Sequence, residues 1–171
     1  VSVAGVPMAL EIERRFLVRG REWMAHSRWQ QRFRQGYLAA SATGFTVRVR
    51  ISADSQAWIT LKAAAAGIAR HEFEYPIPLD EAESLFTLSP HRLSKIRHGL
   101  DLPGGDWVLD VFEAENEPLV LAEVELTRAD QPLDVPGWCG LEVTGLGEWS
   151  NAALASRPFG SWTAAEQRLL A

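Results

Sequence analysis

Period-2 alternation dominates this chain and limits what it can fold into. It runs through LEIERRFLV (10–18), QRFRQGYLA (31–39), FTVRVRIS (45–52), AWITLKA (57–63), ARHEFEYPI (69–77), RLSKIRHGL (92–100), WVLDVFEAE (107–115) and LVLAEVELT (119–127). Successive side chains of a strand point to opposite faces, so each segment is predicted as a strand with one polar and one largely apolar face. Gly, Pro, Ser and Asp separate most of the segments, as strand boundaries require. Roughly eight such strands suffice for a large antiparallel sheet or a closed barrel, and LEVTG (141–145) adds a short one.

Helices are the minority. REWMAHSRW (21–29) is a short candidate, and LDEAESLFTL (79–88) a better one, with Asp80 as N-cap and Leu85, Phe86 and Leu88 on an apolar stripe. SNAALASR (150–157) and TAAEQRLLA (163–171) each open on a capping hydroxyl. There is no internal repeat, low-complexity tract or long linker, so residues 8–171 read as one α+β domain. Residues 1–7 precede a candidate start at Met8 and read as an extension; the segment has no basic leader region and is too short to span a bilayer. A single cysteine, Cys139, cannot form an internal disulfide; it reads as a small packed hydrophobe and fits a cytoplasmic protein.

The net charge of −5 disfavours nucleic acid and anionic membranes as partners, so a polyanionic ligand would need a local basic cluster. Of the 17 basic residues only Lys62 and Lys95 are lysines. Codon usage accounts for the arginine excess. The two lysines are then either chance survivors or positions that need a compact, deprotonatable ammonium.

The polar faces carry a second pattern. Glu11 with Glu13, Arg48 with Arg50, Glu72 with Glu74, Lys95 with Arg97, and Glu123 with Glu125 are like-charge pairs two residues apart, and Arg15, Lys62, Arg70 and Asp110 lie on the same faces. A solvated sheet face explains any one of these strands. It fits five poorly, because two like charges ~7 Å apart repel by about 2 kcal/mol at an effective dielectric near 20. The opposite faces (Ile12 and Phe16, Val47 and Val49, Phe73 and Tyr75, Val124 and Leu126) are apolar and need covering. A barrel with its charged faces inward and its apolar faces sheathed by helices reconciles both facts. Its lumen would hold acidic and basic pairs in separate sectors. Acidic oxygens bind hard divalent cations and arginine forks bind phosphate, so such a lumen suits a metal-bound polyphosphate. No glycine-rich phosphate loop occurs, and the four histidines show no zinc-ligand spacing.

The same residues carry a family resemblance. EIERR resembles the N-terminal ExExK signature of the CYTH superfamily, the triphosphate tunnel metalloenzymes, in its short bacterial tripolyphosphatase-like branch. The match continues in order through QGYL, VRVR, ITLKA, RHEFEYPIP, KIRH, WVLDVF, LAEVEL and GLEVTG to Asn151, Leu154 and Ala155. The resemblance implies an eight-stranded antiparallel β tunnel that hydrolyses a small-molecule triphosphate with Mg²⁺ or Mn²⁺, inorganic tripolyphosphate being favoured, as a monomer or homodimer. It implies metal ligation by Glu11, Glu13, Asp110, Glu123 and Glu125, and a phosphate clamp of Arg15, Arg48, Arg50, Lys62, Lys95 and Arg97. Arg70, Glu72 and Glu74 would support these groups, and Tyr37 with Lys95 would act on the attacking water. Other readings on the same fold are a thiamine or nucleoside triphosphatase, an adenylate cyclase, or a non-catalytic polyphosphate binder. Two departures stand out: Arg15 replaces the signature lysine, and Glu113, expected near the tunnel mouth, stands where bacterial relatives usually have glycine. The tail after Pro158 lies outside the resemblance.

Overall fold

A computed structural model describes residues 10–41 and 44–168. The expectation for residues 1–7 and the last three residues of the predicted C-terminal helix lie outside them.

Eight strands follow the alternating segments closely: β1 Leu10–Val18, β2 Ser27–Ala40, β3 Thr46–Ser52, β4 Ala57–Ala64, β5 Ala69–Pro76, β6 His91–Leu100, β7 Asp106–Phe112 and β8 Val120–Glu125. All neighbours are antiparallel, in the order β5-β4-β3-β2-β6-β7-β8-β1, and β5 pairs back onto β1, closing the sheet into a barrel. The closure is short, since only Leu10, Glu11 and Ile12 pair with β5. A ninth strand, β9 Cys139–Glu142, pairs with β1 at Phe16 and Val18.

The alternation places Glu11, Glu13, Arg15 and Leu17 on the inner face of β1, with Phe16 outside. Phe16 packs with Trp107, Leu109, Val124, Leu126 and Trp138 in an outer core. Helix α1, Leu79–Leu88, covers Val49 and Ile51 through Ala82. A third core plugs one end of the barrel: Leu17, Phe112, Leu121, Trp149, Leu154, Phe159 and Trp162, supplied largely by the chain around helix α2, Asn151–Ser156. Helix α3, Ala164–Gln167, is fixed by a capping box between Thr163 and Glu166.

Several elements differ from the sequence reading. The predicted helix at 21–29 is a 3-10 turn at Glu22–His26, and β2 begins at Ser27, four residues earlier than predicted. β6 draws it out, because Ser27 pairs with Leu100 and the Trp29 indole lies where a Cβ on Gly99 would stand. α1 has the predicted bounds, but Pro78 occupies the N-cap position without a side-chain bond, and Leu88 is exposed. The helical sheath is also incomplete: Phe73 and Tyr75 on the outer face of β5 are 42% and 55% exposed.

Candidate active site

The barrel interior is built from facing rows of charge. On β1, Glu13 stands opposite Glu125 and Arg15 opposite Glu123. On β4, Lys62 stands opposite Glu72 and Thr60 opposite Glu74, while Arg97 on β6 faces Asp110 on β7. The predicted separation into acidic and basic sectors does not hold. Lys62 Nζ donates to Glu11 at 2.5 Å and lies 3.2 Å from Glu72. Arg50 donates to Glu74 at 2.7 Å, and Arg48 donates to both Glu74 and Thr60. Arg97 bridges Asp110 and Glu123 with bonds of 2.7 and 2.6 Å, and Arg15 joins Glu123 at 3.1 Å. Opposite charges on neighbouring strands therefore offset the like-charge repulsion along each strand.

An acid-rich corner remains. Burial pushes Glu13 above the usual carboxylate range, and the charges of Glu123 and Glu11 push it further. Burial and Glu72 likewise raise Glu11 despite Lys62, and burial, Glu11 and Asp106 raise Glu125. Among the described residues no three acidic or imidazole side chains form a ready-made metal cage. Lys62 reaches Glu11 and Arg15 lies 4.0 Å from Glu13, yet all three carboxyls stay raised, so acid outweighs cation in this corner, which fits a hard divalent cation. Glu11, Glu13 and Glu125 fit that role best. Glu123 is engaged by Arg15 and Arg97, which override its burial and hold it well below the ordinary range.

Asp110, expected among the metal ligands, is placed differently. It has no exposed surface, and both its oxygens are taken: Oδ1 by Arg97, and Oδ2 by Arg97 and by Lys95 at 2.6 Å. A carboxylate so engaged positions cations. Lys95 is 1% exposed, and burial lowers its ammonium to about 8 against the pull of Asp110. Lys95 and Tyr37 are not hydrogen-bonded to each other among the described residues. The Tyr37 hydroxyl donates to Gln35 at 3.2 Å, and burial raises its pKa while Arg48 opposes the rise.

A cavity of about 80 Å³ opens among Glu13, Arg15, Tyr37, Arg48, Lys62 and Arg70, with Ser150 and Asn151 at its wall. A second cavity of about 140 Å³ shares Glu13, Arg15, Arg70 and Ser150 and reaches out between Gly67 and Gly145. Arg70, read from sequence as support, lines both and makes no salt bridge among the described residues. Among the described residues five buried side-chain nitrogens make no hydrogen bond, Arg15 Nη2, Gln35 Nε2, Arg48 Nε, Arg50 Nε and His71 Nδ1, although Arg15 Nη2 lies 3.0 Å from a Glu123 oxygen. Burial and the neighbouring Arg48 lower Arg50 to about 10 despite its contact with Glu74, so Arg50 is the least compensated of these cations. Arg50 also lies over the rings of Phe33 and Trp58.

Sequence reasoning missed Gln35 and Thr60, and it placed Asn151 in a family block and a helix-cap region without giving it a role in the site. Ser150 performs that cap, accepting from the Ala153 amide, and the Asn151 side chain accepts instead from Lys95 at 3.1 Å. The period-2 face placed Gln35 and Thr60 in the lumen, but being uncharged they gave no signal. Glu113 lies on the outer wall rather than at the lumen, paired with Arg32 at 2.8 Å.

Fold and site together define a closed antiparallel β tunnel whose lumen sets a row of cations beside an acid-rich corner. The chain belongs to the CYTH domain family, whose model matches residues 9–136. It is 34% identical over 154 residues to an inorganic triphosphatase of Acetivibrio thermocellus, covering 89% of this chain and 97% of that protein. It is 35% identical over 150 residues to an inorganic triphosphatase of Nitrosomonas europaea, covering 85% and 96%. The crystal structure of the inorganic triphosphatase NE1496 superposes with a TM-score of 0.62 at 33% identity, over 86% of this chain and 95% of that one.

Proposed function

We propose that this protein is a divalent-metal-dependent inorganic triphosphatase that converts tripolyphosphate to pyrophosphate and phosphate. The observation that carries this reading is the lumen's row of cations, Arg15, Arg48, Arg50, Lys62, Arg70 and Arg97, with buried guanidinium and amide donors left unpartnered. Phosphate oxygens would accept from those donors, and the arginine forks suit bidentate contacts. The two inorganic triphosphatases matched over nearly their whole length support the same reading.

Glu11, Glu13 and Glu125 would hold Mg²⁺ or Mn²⁺, with Glu123 joining when an arginine turns to substrate. The cation would neutralise charge on the phosphoanhydride oxygens. The rest falls to this chain's own groups. The arginines and Lys62 fix the chain of phosphates. Tyr37 lines the cavity and orients water toward the terminal phosphorus, and Lys95, lowered to about 8, accepts the proton. Water oxygen bonds to phosphorus, the bridging P–O bond breaks, and its electrons leave with pyrophosphate. Asp110 holds Lys95 and Arg97 in place. A cytoplasmic location and a monomeric or homodimeric state belong to the same reading. Among the described residues no helix is long and apolar enough to cross a membrane.

The test is phosphate release from tripolyphosphate, pyrophosphate, thiamine triphosphate and ATP, each with Mg²⁺, Mn²⁺ or Ca²⁺. Tripolyphosphate with Mg²⁺ or Mn²⁺ is expected to be fastest, and Glu13→Ala or Glu125→Ala to lose at least about a hundredfold. Tight binding without phosphate release under any metal would refute catalysis and leave a polyphosphate binder.

A further inference from the structure

We infer that Asn151 is a positioning residue that acts through Lys95 and carries it to the wall of the catalytic cavity. The inference rests on the triphosphatase reading above. Lys95 lines neither cavity and is almost wholly enclosed. Among the described residues its ammonium has two hydrogen-bond partners, Asp110 Oδ2 at 2.6 Å and Asn151 Oδ1 at 3.1 Å, and it lies over the Phe112 ring. Asp110 is itself sealed away from solvent, whereas Asn151 lines the cavity beside Tyr37. Asn151 is thus the side chain that touches both the buried ammonium and the space where substrate would lie.

Nothing in the helix requires asparagine at this position, because Ser150 Oγ already caps α2. The backbone beneath it is well anchored: Leu154 is fully buried in the end plug, and Asn116 Nδ2 donates to its carbonyl at 3.2 Å. The amide oxygen is therefore presented from a fixed support. A second hydrogen-bond acceptor restricts the ammonium to one direction, as Asp110 alone would not. Since β6 supplies Lys95 and the plug supplies Asn151, the catalytic geometry forms only when the plug is seated.

The chain has two lysines, Lys62 and Lys95, so lysine labelled with ¹⁵N at Nζ yields two side-chain signals, assigned with K62R and K95R. In Asn151→Ala the Lys95 signal is expected to shift and the Lys62 signal to stay. With tripolyphosphate and Mg²⁺, kcat is expected to fall about tenfold or more with KM within about threefold, the pattern of a lost transition-state contact. Asn151→Asp keeps the acceptor and should retain more kcat than Asn151→Ala, while its charge raises KM. An unmoved Lys95 signal, wild-type kcat in Asn151→Ala, or equal kcat loss in both variants overturns the inference. If the wild-type protein releases no phosphate, the triphosphatase reading fails, and the lysine signals still decide whether Asn151 holds Lys95.

Discussion

At the scale of single residues, the lumen works by tuning charges against burial. Lys95 and Lys62 are chemically identical, yet burial and Arg97 lower Lys95 to about 8 despite Asp110, while Glu11 and other acids raise Lys62. With Lys95 as proton acceptor, kcat should rise with pH through about 8 as the ammonium is emptied. Lys95→Arg keeps the charge but cannot deprotonate, so it should lose roughly a hundredfold in kcat along with that limb. A pH–rate profile at saturating tripolyphosphate and metal checks both, and persistence of the limb in the variant would exclude Lys95 as the base. The period-2 face and the family blocks picked out most of the charges on the inner faces, though not Asp106 opposite Glu125. The division of labour was not legible. Asp110 and Glu125 are both acids on inner faces, and only their neighbours differ: Lys95 and Arg97 take up Asp110, whereas Glu11 and Asp106 raise Glu125.

At the scale of elements, close approaches between layers fix where the helices lie. Gly36 of QGYL is the clearest case. A Cβ there would stand 2.4 Å from Ser89 Oγ and 2.8 Å from its Cβ, just past the end of α1. The neighbouring Gln35 and Tyr37 point into the lumen, so displacing β2 at this point moves both the outer layer and the site. Gly36→Ala is expected to cost about 1–3 kcal/mol by overpacking, read as a lower denaturant midpoint with unchanged slope. A variant as stable as the parent would show that α1 is free to shift. Strand positions were readable because alternation survives in every strand. The long start of β2 was not, since its pairing is set by a partner strand some seventy residues away, with Ser27 opposite Leu100.

At the scale of the molecule, the barrel is a ring of ion pairs closed by a short seam and stoppered by an aromatic plug. Arg97 and Arg15 depress the Glu123 carboxyl relative to its unfolded value despite burial. Its contribution to stability is therefore complete above the ordinary glutamate pKa and is lost as pH falls toward the depressed value. Thermal unfolding midpoints should drop steeply below about pH 4. Glu123→Gln should flatten that drop while lowering the midpoint at neutral pH, because it strands two buried guanidinium groups. An unchanged acid slope in the variant would place the acid sensitivity elsewhere. By itself the sequence determined the strands, the inward direction of their charges and the family, because strand periodicity is local and each strand keeps one apolar face. Only the tertiary structure decided which acid meets which cation, that Phe73 and Tyr75 stay uncovered, and that Asn151 touches Lys95. Those are contacts between residues far apart in the chain, set by barrel register and by the seating of the plug, and no local pattern encodes them.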